Sequence, residues 1–352
     1  MTRTILVTGA AGFIGSHVCE ALSARGDTVI GLDNFDNYYD PARKRANLTE
    51  MAHRPDALVE GDIRNRRLVE RLFDAHAFDC VIHLAAVAGV RASVDNPHLY
   101  FEVNQGGAMN LLEAARKRNG INFVFASTSS TYGSTRQVPF VETDACDQPL
   151  APYPASKRAV EMLGYTYHHL HGLDFTALRF FTVYGPRNRP DMMIHKLANS
   201  CVYGHSVPLY NGGQIFRDWT FVADVVSGII AAADRPLGYE VINIGRGEPI
   251  LLADMVRDME DIIGRRATLI SKSAPSSDMP CTFADISKAQ RLLGYQPRTS
   301  MRAGLELFWE WYERAVLRGV TGRVISQPQP RFVRPTVPRV AAMNSAMRIE
   351  EL

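Results

Sequence analysis

The sequence lacks the features that mark membrane, secreted and nucleic-acid-binding proteins. No uninterrupted apolar run reaches the roughly 18–20 residues that a membrane span needs. The formal net charge is only +2, so charge gives no argument for a polyanionic partner. No basic segment with an apolar core precedes Ile5, where the first strand-like run starts. We therefore expect a cytoplasmic protein with no membrane or nucleic-acid partner.

Cysteine is also scarce. The five cysteines are odd in number, widely spread, and form no Cys-x-x-Cys pair, which suits a reducing compartment and argues against a disulfide framework or a zinc site. A histidine cluster at His168, His169 and His171 could suggest a metal. However, His168 and His169 point to different faces of a helix, and no carboxylate partner is evident. We expect no metal site.

The first half of the chain alternates between two hydrophobic periods. Short β-branched runs at 5–8, 28–32, 80–84, 123–126 and 175–178 are separated by segments of helical periodicity, such as those at 68–78 and 97–118. Strand–helix–strand alternation predicts an α/β fold, a Rossmann-like, doubly wound parallel sheet with helices on both faces. Ligands of such sheets bind at the carboxyl ends of the strands.

After residue 180 the pattern loosens, and helical stretches near 222–234, 252–264 and 301–316 are joined by polar loops. We predict a sheet domain over residues 1–180, completed by a later strand near 238–244. A smaller α/β lobe is predicted over 181–318. Residues 319–352 contain four prolines and little periodicity, and are interpreted as a C-terminal extension that is either flexible or docked as an arm.

A glycine-rich turn follows the first strand and opens a helix. Gly9 permits a tight turn, Gly12 lets the backbone approach a pyrophosphate, and Gly15 lets helix and strand pack closely. The helix that starts near Phe13 and Ile14 offers backbone amides and the positive end of its dipole to phosphates. A glycine motif alone is also compatible with an ordinary βα turn, but its position favours a dinucleotide cofactor.

The ends of the following strands sharpen that prediction. Asp33 lies 24 residues after Gly9, where a carboxylate can accept from the adenosine ribose and repel a 2′-phosphate, so NAD is favoured over NADP. Asp62 follows the third strand-like unit and could meet the adenine amino group. Further residues are assigned to the cofactor as follows: Asn34, Ile63, Leu84, Ala85, Ala86, Ala88, Asn104, Ser127, Tyr153, Lys157 and Phe181.

Tyr153 and Lys157 are the candidate catalytic pair, because a spacing of four puts them on one face of a helix. A free tyrosine has a pKa of about 10, so a phenolate at neutral pH needs positive charge nearby. The Lys157 ammonium, with an oxidised nicotinamide beside it, could supply that charge, and the phenolate could then take a proton from a hydroxyl. Tyr-x-x-x-Lys alone is also common on solvated helix faces. Here, however, a hydroxyl cluster that includes Thr128 ends the preceding strand.

These features together resemble the extended short-chain dehydrogenase/reductases, a group that contains nucleotide-sugar epimerases, dehydratases and decarboxylases. The resemblance runs from residue 4 to about 316 and includes motifs at 179–186, 217–224, 283–289 and 293–297. Within the group the sequence is most similar to UDP-glucuronate 4-epimerases, in segments 32–41, 88–91 and 189–192. The resemblance implies bound NAD, and a homodimer packed through helices near 97–118 and 154–171.

The residues beside Thr128 separate the reactions of this group. Related dehydratases place Asp-Glu here and related decarboxylases carry Glu, whereas this chain has Ser129 and Ser130. Hydroxyls cannot expel a C6 substituent at neutral pH, so retention of the sugar skeleton is favoured. A 4-keto uronate is a β-keto acid that loses CO₂ in the wrong geometry, and neutral donors at Thr128, Ser129, Ser130 and Thr182 suit a site that prevents this. UDP-glucose 4-epimerases usually carry Asn at the place of Thr182, which could otherwise be a loop hydroxyl that caps the backbone.

The resemblance assigns four further residues to the substrate. Arg217 can chelate a UDP pyrophosphate bidentately. Arg189 would lie near the charged part of the substrate, although an exposed arginine is the alternative, and Arg91 is a weaker candidate. Asp278 could accept from the uridine ribose, but Pro275-Ser276-Ser277 precedes it where the family usually has Arg or Gln followed by Pro-Gly. This departure leaves the identity of the nucleotide open.

The sequence as a whole predicts an NAD-dependent isomerase that epimerises UDP-glucuronate to UDP-galacturonate at C4 through a 4-keto intermediate, with Tyr153 as the base. A UDP-glucose 4-epimerase, or another nucleotide-sugar epimerase or decarboxylase, is the alternative among enzymes. A non-catalytic NAD-binding protein of the same fold is the alternative from another class. The complete set of Thr128, Tyr153 and Lys157 argues against that last reading.

Overall fold

A computed structural model of the chain describes residues 2–135, 137–273, 279 and 281–319. The strands in chain order are β1 (Thr4–Thr8), β2 (Thr28–Asp33), β3 (Ala57–Glu60), β4 (Cys80–His83), β5 (Asn122–Thr128), β6 (Asp174–Phe180), β7 (Thr182–Tyr184), β8 (Val207–Tyr210), β9 (Phe216–Phe221), β10 (Tyr239–Ile244), β11 (Pro249–Leu251), β12 (Leu269–Lys272) and β13 (Cys281–Thr282).

The helices in chain order are α1 (Phe13–Arg25), α2 (Pro41–Glu50), α3 (Arg66–Ala75), α4 (Val90–Asp95), α5 (Pro97–Tyr100), α6 (Gly107–Ala115), α7 (Pro152–His171), α8 (Met193–Tyr203), α9 (Val222–Ala233), α10 (Leu252–Ile263), α11 (Ser287–Leu293) and α12 (Met301–Trp311). Phe101–Gly106 and Tyr312–Leu317 are π-helical, and Ser129–Tyr132 and Asn211–Gly213 are short 3₁₀ turns. Among the described residues, no helix combines the length and the apolar character that a bilayer crossing requires.

Seven parallel strands form the central sheet in the order β10-β6-β5-β4-β1-β2-β3. The predicted doubly wound α/β fold is confirmed. Strand β10 pairs in parallel with β6, with Ile244 opposite Phe180, so the late strand near 238–244 lies at the edge of this sheet. Because all seven strands run the same way, the loops that follow β1, β2, β4 and β5 open at one edge of the sheet.

Burial explains why these segments form strands. All seven residues of β5 are buried, as are all four of β4, which is the near-continuous apolar run expected where both faces of a parallel sheet are covered. On one face the core includes Val18 of α1 and Ile229 of α9. On the other face it includes Leu72 of α3, Leu111 of α6 and Val160 of α7.

The smaller lobe is built around β9. This strand pairs in parallel with β7 and β13 and antiparallel with β11, while β8 and β12 form a separate parallel pair. Strand β7 begins two residues after β6 ends, so the chain passes directly from the central sheet into the lobe. The last helix, α12, seals the lobe with Phe308 and Trp311, and the buried Tyr312 follows it.

Two helices that border the candidate functional site, α2 and α8, are not predicted from the sequence. Helix α2 begins with Pro41 at its first turn, and the Asp40 carboxylate accepts a hydrogen bond from the Ala42 amide, which are ordinary helix-start signals. Helix α8 has no such cap, and its bounds follow from the burial of Ile194, Leu197 and other residues on one face. Packing against the lobe, rather than local sequence, defines this second helix.

The buried histidines predict acid sensitivity. Neither His83 nor His195 is exposed. Burial, followed by the charge of Lys157, lowers the pKa of His83 to about 3. Burial, followed by the charge of Arg43, lowers the pKa of His195 to about 3 as well. In an unfolded chain a histidine has a pKa of about 6.5. Below that value the unfolded chain binds protons that the folded chain does not, so stability is lost as the pH falls.

We expect the free energy of unfolding, measured with urea, to fall between pH 6.5 and 4 by up to about 1.4 kcal/mol per pH unit for each such histidine. The variant His195→Met should lose one histidine's share of this slope. The exposed His53 offers a matched control, and His53→Gln should keep the wild-type slope. An unchanged slope in His195→Met would contradict the assignment.

Candidate functional site

The loop between β1 and α1 is shaped by glycines that no larger residue could replace. Gly9 has a φ of +72°, and a Cβ there would lie 2.8 Å from the Ala85 backbone nitrogen. A Cβ on Gly15 would lie 1.9 Å from the Gly9 carbonyl oxygen, and one on Gly12 would lie 3.1 Å from the same atom. The loop is therefore packed backbone against backbone, and it presents the N-terminal amides of α1 to the cleft.

Asp33 at the end of β2 fixes this loop. Its carboxylate accepts hydrogen bonds from the backbone amides of Ala11, at 3.0 Å, and Phe35, at 2.8 Å. The Asn47 side chain of α2 donates to the Ala11 carbonyl oxygen at 3.0 Å, from the other side. The carboxylate thus has a structural role in addition to the ribose contact that the sequence predicts.

An open cleft with about 1170 Å³ of empty space, including the part that is open to solvent, lies along the carboxyl edge of the sheet. Most of the residues predicted to hold the cofactor line it: Gly9, Gly12, Phe13, Ile14, Gly15, Asp33, Asn34, Ile63, Leu84, Ala85, Ala86, Ala88, Ser127, Tyr153 and Lys157. The glycine loop, the carboxylate and the small residues after β4 therefore converge on one cavity.

Three of the predicted cofactor residues lie behind the cleft lining. The Asp62 carboxylate accepts from Asn34 Nδ2 at 3.1 Å. Asn104, in the π-helical segment, accepts from the Val87 amide at 2.8 Å and donates to its carbonyl oxygen at 3.1 Å, so it shapes the loop after β4. Phe181 packs in a small apolar cluster with Phe140. Asp62 and Asn104 therefore support residues of the lining, namely Asn34 and Val87.

The candidate catalytic pair lies in the first two turns of α7, beside the end of β5. Lys157 is 2% exposed, and its Nζ donates to the Ala126 carbonyl oxygen at 2.8 Å. The same nitrogen lies 4.7 Å from the centre of the Phe125 ring. Burial lowers the pKa of Lys157 to about 7, against the opposing effect of the Glu161 carboxylate.

Arg189 is a cation near Tyr153 that the sequence does not connect with the phenol. Burial raises the pKa of Tyr153 above its ordinary value, while the positive charge of Arg189 and a hydrogen bond with Thr128 lower it in part. The sequence assigns positive charge near the phenol to Lys157, and that role stays a prediction. Thr128 lies beside Tyr153 as predicted for a catalytic partner.

A second cavity of about 680 Å³ lies between the sheet domain and the smaller lobe. Three residues predicted to bind the substrate line it: Arg91, Thr182 and Arg217. The other lining residues are Asp191, Met193, Lys196, Val207, Pro208, Tyr210, Ile215, Trp219 and Leu252. With its cations and aromatic rings, this cavity has the chemistry to hold an anionic ligand that carries a flat ring.

Arg189 lies where the two cavities approach each other. It lines the first cavity, and its fork donates to the Asp191 carboxylate of the second, at 2.9 Å from Nε and 2.8 Å from Nη2. The Tyr38 hydroxyl donates to the same carboxylate at 3.4 Å, from the loop after β2. The guanidinium is therefore held in place by Asp191, close enough to Tyr153 to affect its pKa.

Arg91 joins the two parts of the chain across the second cavity. Its Nη1 donates to the Tyr210 hydroxyl at 2.9 Å, and its guanidinium lies 4.3 Å from the centre of the Tyr210 ring. Helix α4 carries Arg91 and strand β8 carries Tyr210. Arg217 points its Nη1 to the Phe216 carbonyl oxygen at 2.8 Å and lines the same cavity.

Some site residues were not found from the sequence. Tyr38, Tyr39 and Lys44 line the first cavity from the segment after β2, and Lys196 lines the second. Helical spacing could have identified Lys196, since it follows Met193 by three residues on α8 and both face the cavity. Ser129 and Ser130 begin the 3₁₀ turn that follows Thr128, where neither lines a cavity, although the Ser130 amide donates to Thr128 Oγ1 at 3.2 Å.

Two predictions concern residues that the structure describes only in part or not at all. Asp278, assigned to the uridine ribose, lies outside them. Within the described ranges, no three His, Cys, Asp or Glu side chains are grouped as metal ligands would be.

Two curated relatives are similar to this chain over most of its length. The UDP-glucuronate 4-epimerase 4 of Arabidopsis thaliana is 43% identical over 327 residues, covering 88% of this chain and 75% of the relative. The UDP-glucuronate 4-epimerase of Thermodesulfobacterium geofontis is 41% identical over 308 residues, covering 87% of this chain and 95% of the relative.

Solved structures agree in fold. The UDP-glucuronic acid 4-epimerase of Bacillus cereus, in complex with UDP-glucuronic acid and NAD, is 35% identical with a TM-score of 0.81, covering 88% of this chain and 99% of that one. The UDP-glucose 4-epimerase of Thermotoga maritima, with UDP-glucose, is 32% identical with a TM-score of 0.81 and the same coverage.

The profile of the NAD dependent epimerase/dehydratase family matches residues 5–245, which include the glycine loop, Asp33 and the Tyr153–Lys157 pair. The resemblance noted in the sequence is thereby confirmed, and the chain belongs to the NAD-dependent epimerase/dehydratase family.

Proposed function

We propose that this chain interconverts UDP-glucuronate and UDP-galacturonate by epimerisation at C4, with NAD as a tightly held cofactor. The observation that carries the proposal is that Tyr153 and Lys157 line the same cleft, with Thr128 hydrogen-bonded to Tyr153. The relatives named as UDP-glucuronate 4-epimerases support the choice of substrate.

The cleft fits NAD on its own geometry. The space beside Gly9 and Gly15 is already filled by backbone, so the turn is tight enough to bring α1 amides to a pyrophosphate. Asp33 lies beside the loop as an acceptor for ribose hydroxyls and repels a 2′-phosphate. When bound there, NAD supplies the hydride acceptor and donor at C4 of the sugar.

Side chains of the protein transfer the proton of the sugar 4-hydroxyl. Tyr153 removes the proton of the 4-hydroxyl as the C4 carbonyl forms, and returns it when the alcohol is restored. Thr128 hydrogen-bonds the phenol, and Arg189 favours its ionised form. Lys157 lies one turn further along α7, fastened to the Ala126 carbonyl oxygen, and its ammonium adds positive charge on the same helix face.

The turn after β5 supports epimerisation over elimination or decarboxylation. Residues 127–132 are Ser-Thr-Ser-Ser-Thr-Tyr, which contain hydroxyls and no carboxylate. An elimination at C5 and C6 needs an acid–base pair beside the ketone, and neutral hydroxyls do not provide one at pH 7. The same residues bring no negative charge that would repel a substrate carboxylate. Retention of the uronate skeleton follows.

A charged sugar fits the boundary between the two cavities. Thr182 and Arg217 line the second cavity, and Arg189 lies at its junction with the first. A guanidinium can form two parallel hydrogen bonds with a carboxylate or a diphosphate. We assign the UDP part to the second cavity and the uronate to the junction. Thr182 is assigned to the uronate as well, because it follows Phe180 of the first cavity by only two residues.

Incubation of the enzyme with UDP-glucuronate should give UDP-galacturonate, with no net NADH and no CO₂, because hydride and proton both return to the sugar. Capillary electrophoresis with mass spectrometry of the nucleotide sugars measures this. Formation of a UDP-pentose or its 4-keto form would overturn the proposal. A higher kcat/KM for UDP-glucose than for UDP-glucuronate would instead select a neutral-sugar epimerase.

Replacement of Thr182 tests recognition of the carboxylate. Thr182→Val keeps the shape but removes the donor, so kcat/KM for UDP-glucuronate should fall roughly 10- to 100-fold, the range of a hydrogen bond to a charged group. The value for UDP-glucose should change far less. Thr182→Ser keeps the hydroxyl and should retain activity within a few fold. An equal loss on both sugars would show that Thr182 does not read the carboxylate.

We also propose that two copies of the chain pair through α7 and the α5–α6 segment. Large apolar side chains are exposed on this face: Met162 is 59% exposed, Tyr165 55% and Leu170 64%, and Phe101 on the neighbouring segment is 38% exposed. Met162 and Tyr165 are three residues apart on α7, so they share one side of the helix. A patch of this kind on paired helices is typical of a subunit interface.

The wild-type protein should elute as a species of about twice 39.1 kDa in size-exclusion chromatography with light scattering. The double substitution Met162→Glu with Tyr165→Glu places two charges on the apolar face and should give the 39.1 kDa monomer. Leu307 is 44% exposed on α12, away from this face, so Leu307→Glu serves as the control and should leave the dimer intact. A monomeric wild type would overturn the proposed dimer.

The state of the cysteines supports a reducing, cytoplasmic location, which we propose for the protein. All five are free thiols, and four of them are buried: Cys19, Cys80, Cys146 and Cys201. Burial raises the pKa of Cys201 to about 11, which keeps this thiol protonated and unreactive at neutral pH.

A further inference from the structure

A buried ion pair lies directly behind the catalytic residues. Glu161 of α7 has no exposed side-chain surface, and Arg179 of β6 has 1%. Arg179 binds the carboxylate with both arms of its fork, at 3.0 Å from Nε to Oε1 and 2.8 Å from Nη2 to Oε2. The proposed proton chemistry uses neither residue.

Each partner of the pair is also tied to the end of β5 or to the turn that follows it. The Ser127 hydroxyl donates to Glu161 Oε1 at 2.5 Å, and Ser127 is the neighbour of Thr128. The Arg179 guanidinium lies 4.7 Å from the centre of the ring of Tyr132, the last residue of the turn. Arg158 adds a third donor to the carboxylate, at 3.0 Å from Nη1 to Oε2.

Helix geometry places Glu161 on the same face of α7 as Tyr153 and Lys157. Tyr153, Lys157 and Glu161 follow one another at intervals of four, so they lie on one face of α7. In the sheet, Ser127 of β5 lies opposite Arg179 of β6. The pair therefore connects the face of α7 that carries Tyr153 and Lys157 to the strand end that carries Thr128.

The covalent chain does not provide this alignment. Residues 129–151 separate β5 from α7, and apart from the turn at Ser129–Tyr132 they form no helix or central-sheet strand among the described positions. A connection of this length leaves the approach of helix and strand to side-chain contacts. One such contact joins Lys157 to the Ala126 carbonyl oxygen, and another joins Glu161 of the ion pair to the Ser127 hydroxyl.

Stability alone does not account for such a pair. Taking two charges out of water costs several kcal/mol, and apolar residues of similar size are often equally stable or better at such sites. A rigid, bidentate pair with additional donors does fix distance and orientation, which an apolar contact does less well.

We propose that the Glu161–Arg179 pair is a positioning element of the epimerisation reaction, which holds Tyr153 and Lys157 at the correct place relative to Thr128. The inference rests on the proposed C4 epimerisation for its kinetic test. Glu161 has a second effect in the same direction, because its carboxylate opposes the loss of the Lys157 proton that burial causes.

The informative variant is the double substitution Glu161→Leu with Arg179→Met. Removal of both charges avoids leaving one of them buried alone, so the fold should be kept, with a thermal midpoint close to that of wild type. The kcat for UDP-glucuronate should fall about 100-fold, because a displacement of about 1 Å at the reacting groups has an effect of this order. KM should stay within a few fold, since neither residue lines the second cavity.

Two further variants separate positioning from packing. Arg179→Lys keeps one charged bond to Glu161 and loses the fork, so its kcat should lie between those of wild type and Arg179→Met. Tyr167→Phe is the matched control on the same helix: it removes the hydrogen bond of 2.5 Å from α7 to Glu113 of α6, far from Tyr153, and should leave kcat unchanged. A double variant with wild-type kcat, or a loss that appears only in KM, would overturn the inference.

A readout without a sugar keeps this inference separate from the proposed function. Ser127 and Lys157 line the cofactor cleft, so their displacement should speed the loss of NAD from the purified protein after dilution by about tenfold. If wild type epimerises no UDP-sugar, the proposed function fails and this rate decides the inference. A double variant that loses NAD as slowly as wild type and Tyr167→Phe would then overturn it.

Discussion

One buried hydrogen bond, from Lys157 Nζ to the Ala126 carbonyl oxygen at 2.8 Å, sets the relation between the helix and the strand on which the site is built. An ammonium that is 2% exposed is costly, and burial lowers its pKa to about 7. The cost is tolerable only because a carbonyl oxygen, an aromatic ring face at 4.7 Å and the nearby Glu161 carboxylate surround the nitrogen. The groups that stabilise the buried ammonium belong to α7 and β5, which also carry Tyr153 and Thr128.

Both the sheet domain and the smaller lobe contribute a charged side chain that acts on the candidate catalytic pair. Arg189 acts on the Tyr153 phenol from the side of the smaller lobe, and Glu161 acts on Lys157 from the next turn of α7. Each of these charges is itself held by a partner, Arg189 by Asp191 and Glu161 by Arg179. Because the partners fix the charges before substrate binds, little reorganisation is left for the reaction step.

The sequence predicts those parts of the fold in which local pattern and burial agree. The parallel strands appear as β-branched runs because both faces of the sheet are covered, and the confirmed Rossmann-like fold follows from them. Helix α8 was missed because the packing of residues such as Ile194, and no local cap, defines it. The π-helical segment at Phe101–Gly106 was read as ordinary helix, since a wider turn leaves no signature in hydrophobic spacing.

In the candidate site, too, local motifs predict some residues, whereas others are defined by contacts between distant segments. Motifs identify the glycine loop, Asp33 and the Tyr153–Lys157 pair, because their chemistry requires fixed residue types at fixed spacings. The sequence assigns Asn104 to the cofactor, which stays a prediction, and gives no sign that its amide group also shapes the loop around Val87. Such support depends on contacts between segments distant in the chain, which spacing cannot reveal.

The smaller lobe follows from what the sheet domain leaves incomplete. The cleft beside β1 and β5 carries the glycine loop and Tyr153, and the lobe adds Arg189, a guanidinium suited to an anionic sugar, to its lining. Strand β6 passes directly into β7, so Thr182 is delivered to the second cavity by the same chain that closes the sheet. Arg91 reaches in the opposite direction, from the sheet domain to Tyr210 of the lobe. Each part of the chain therefore brings a cation to the other, Arg189 to the cleft of the sheet domain and Arg91 to the cavity of the lobe. In the substrate placement proposed above, a nucleotide sugar that bridges the two cavities contacts both parts, so their relative position sets the distance from its C4 atom to Tyr153.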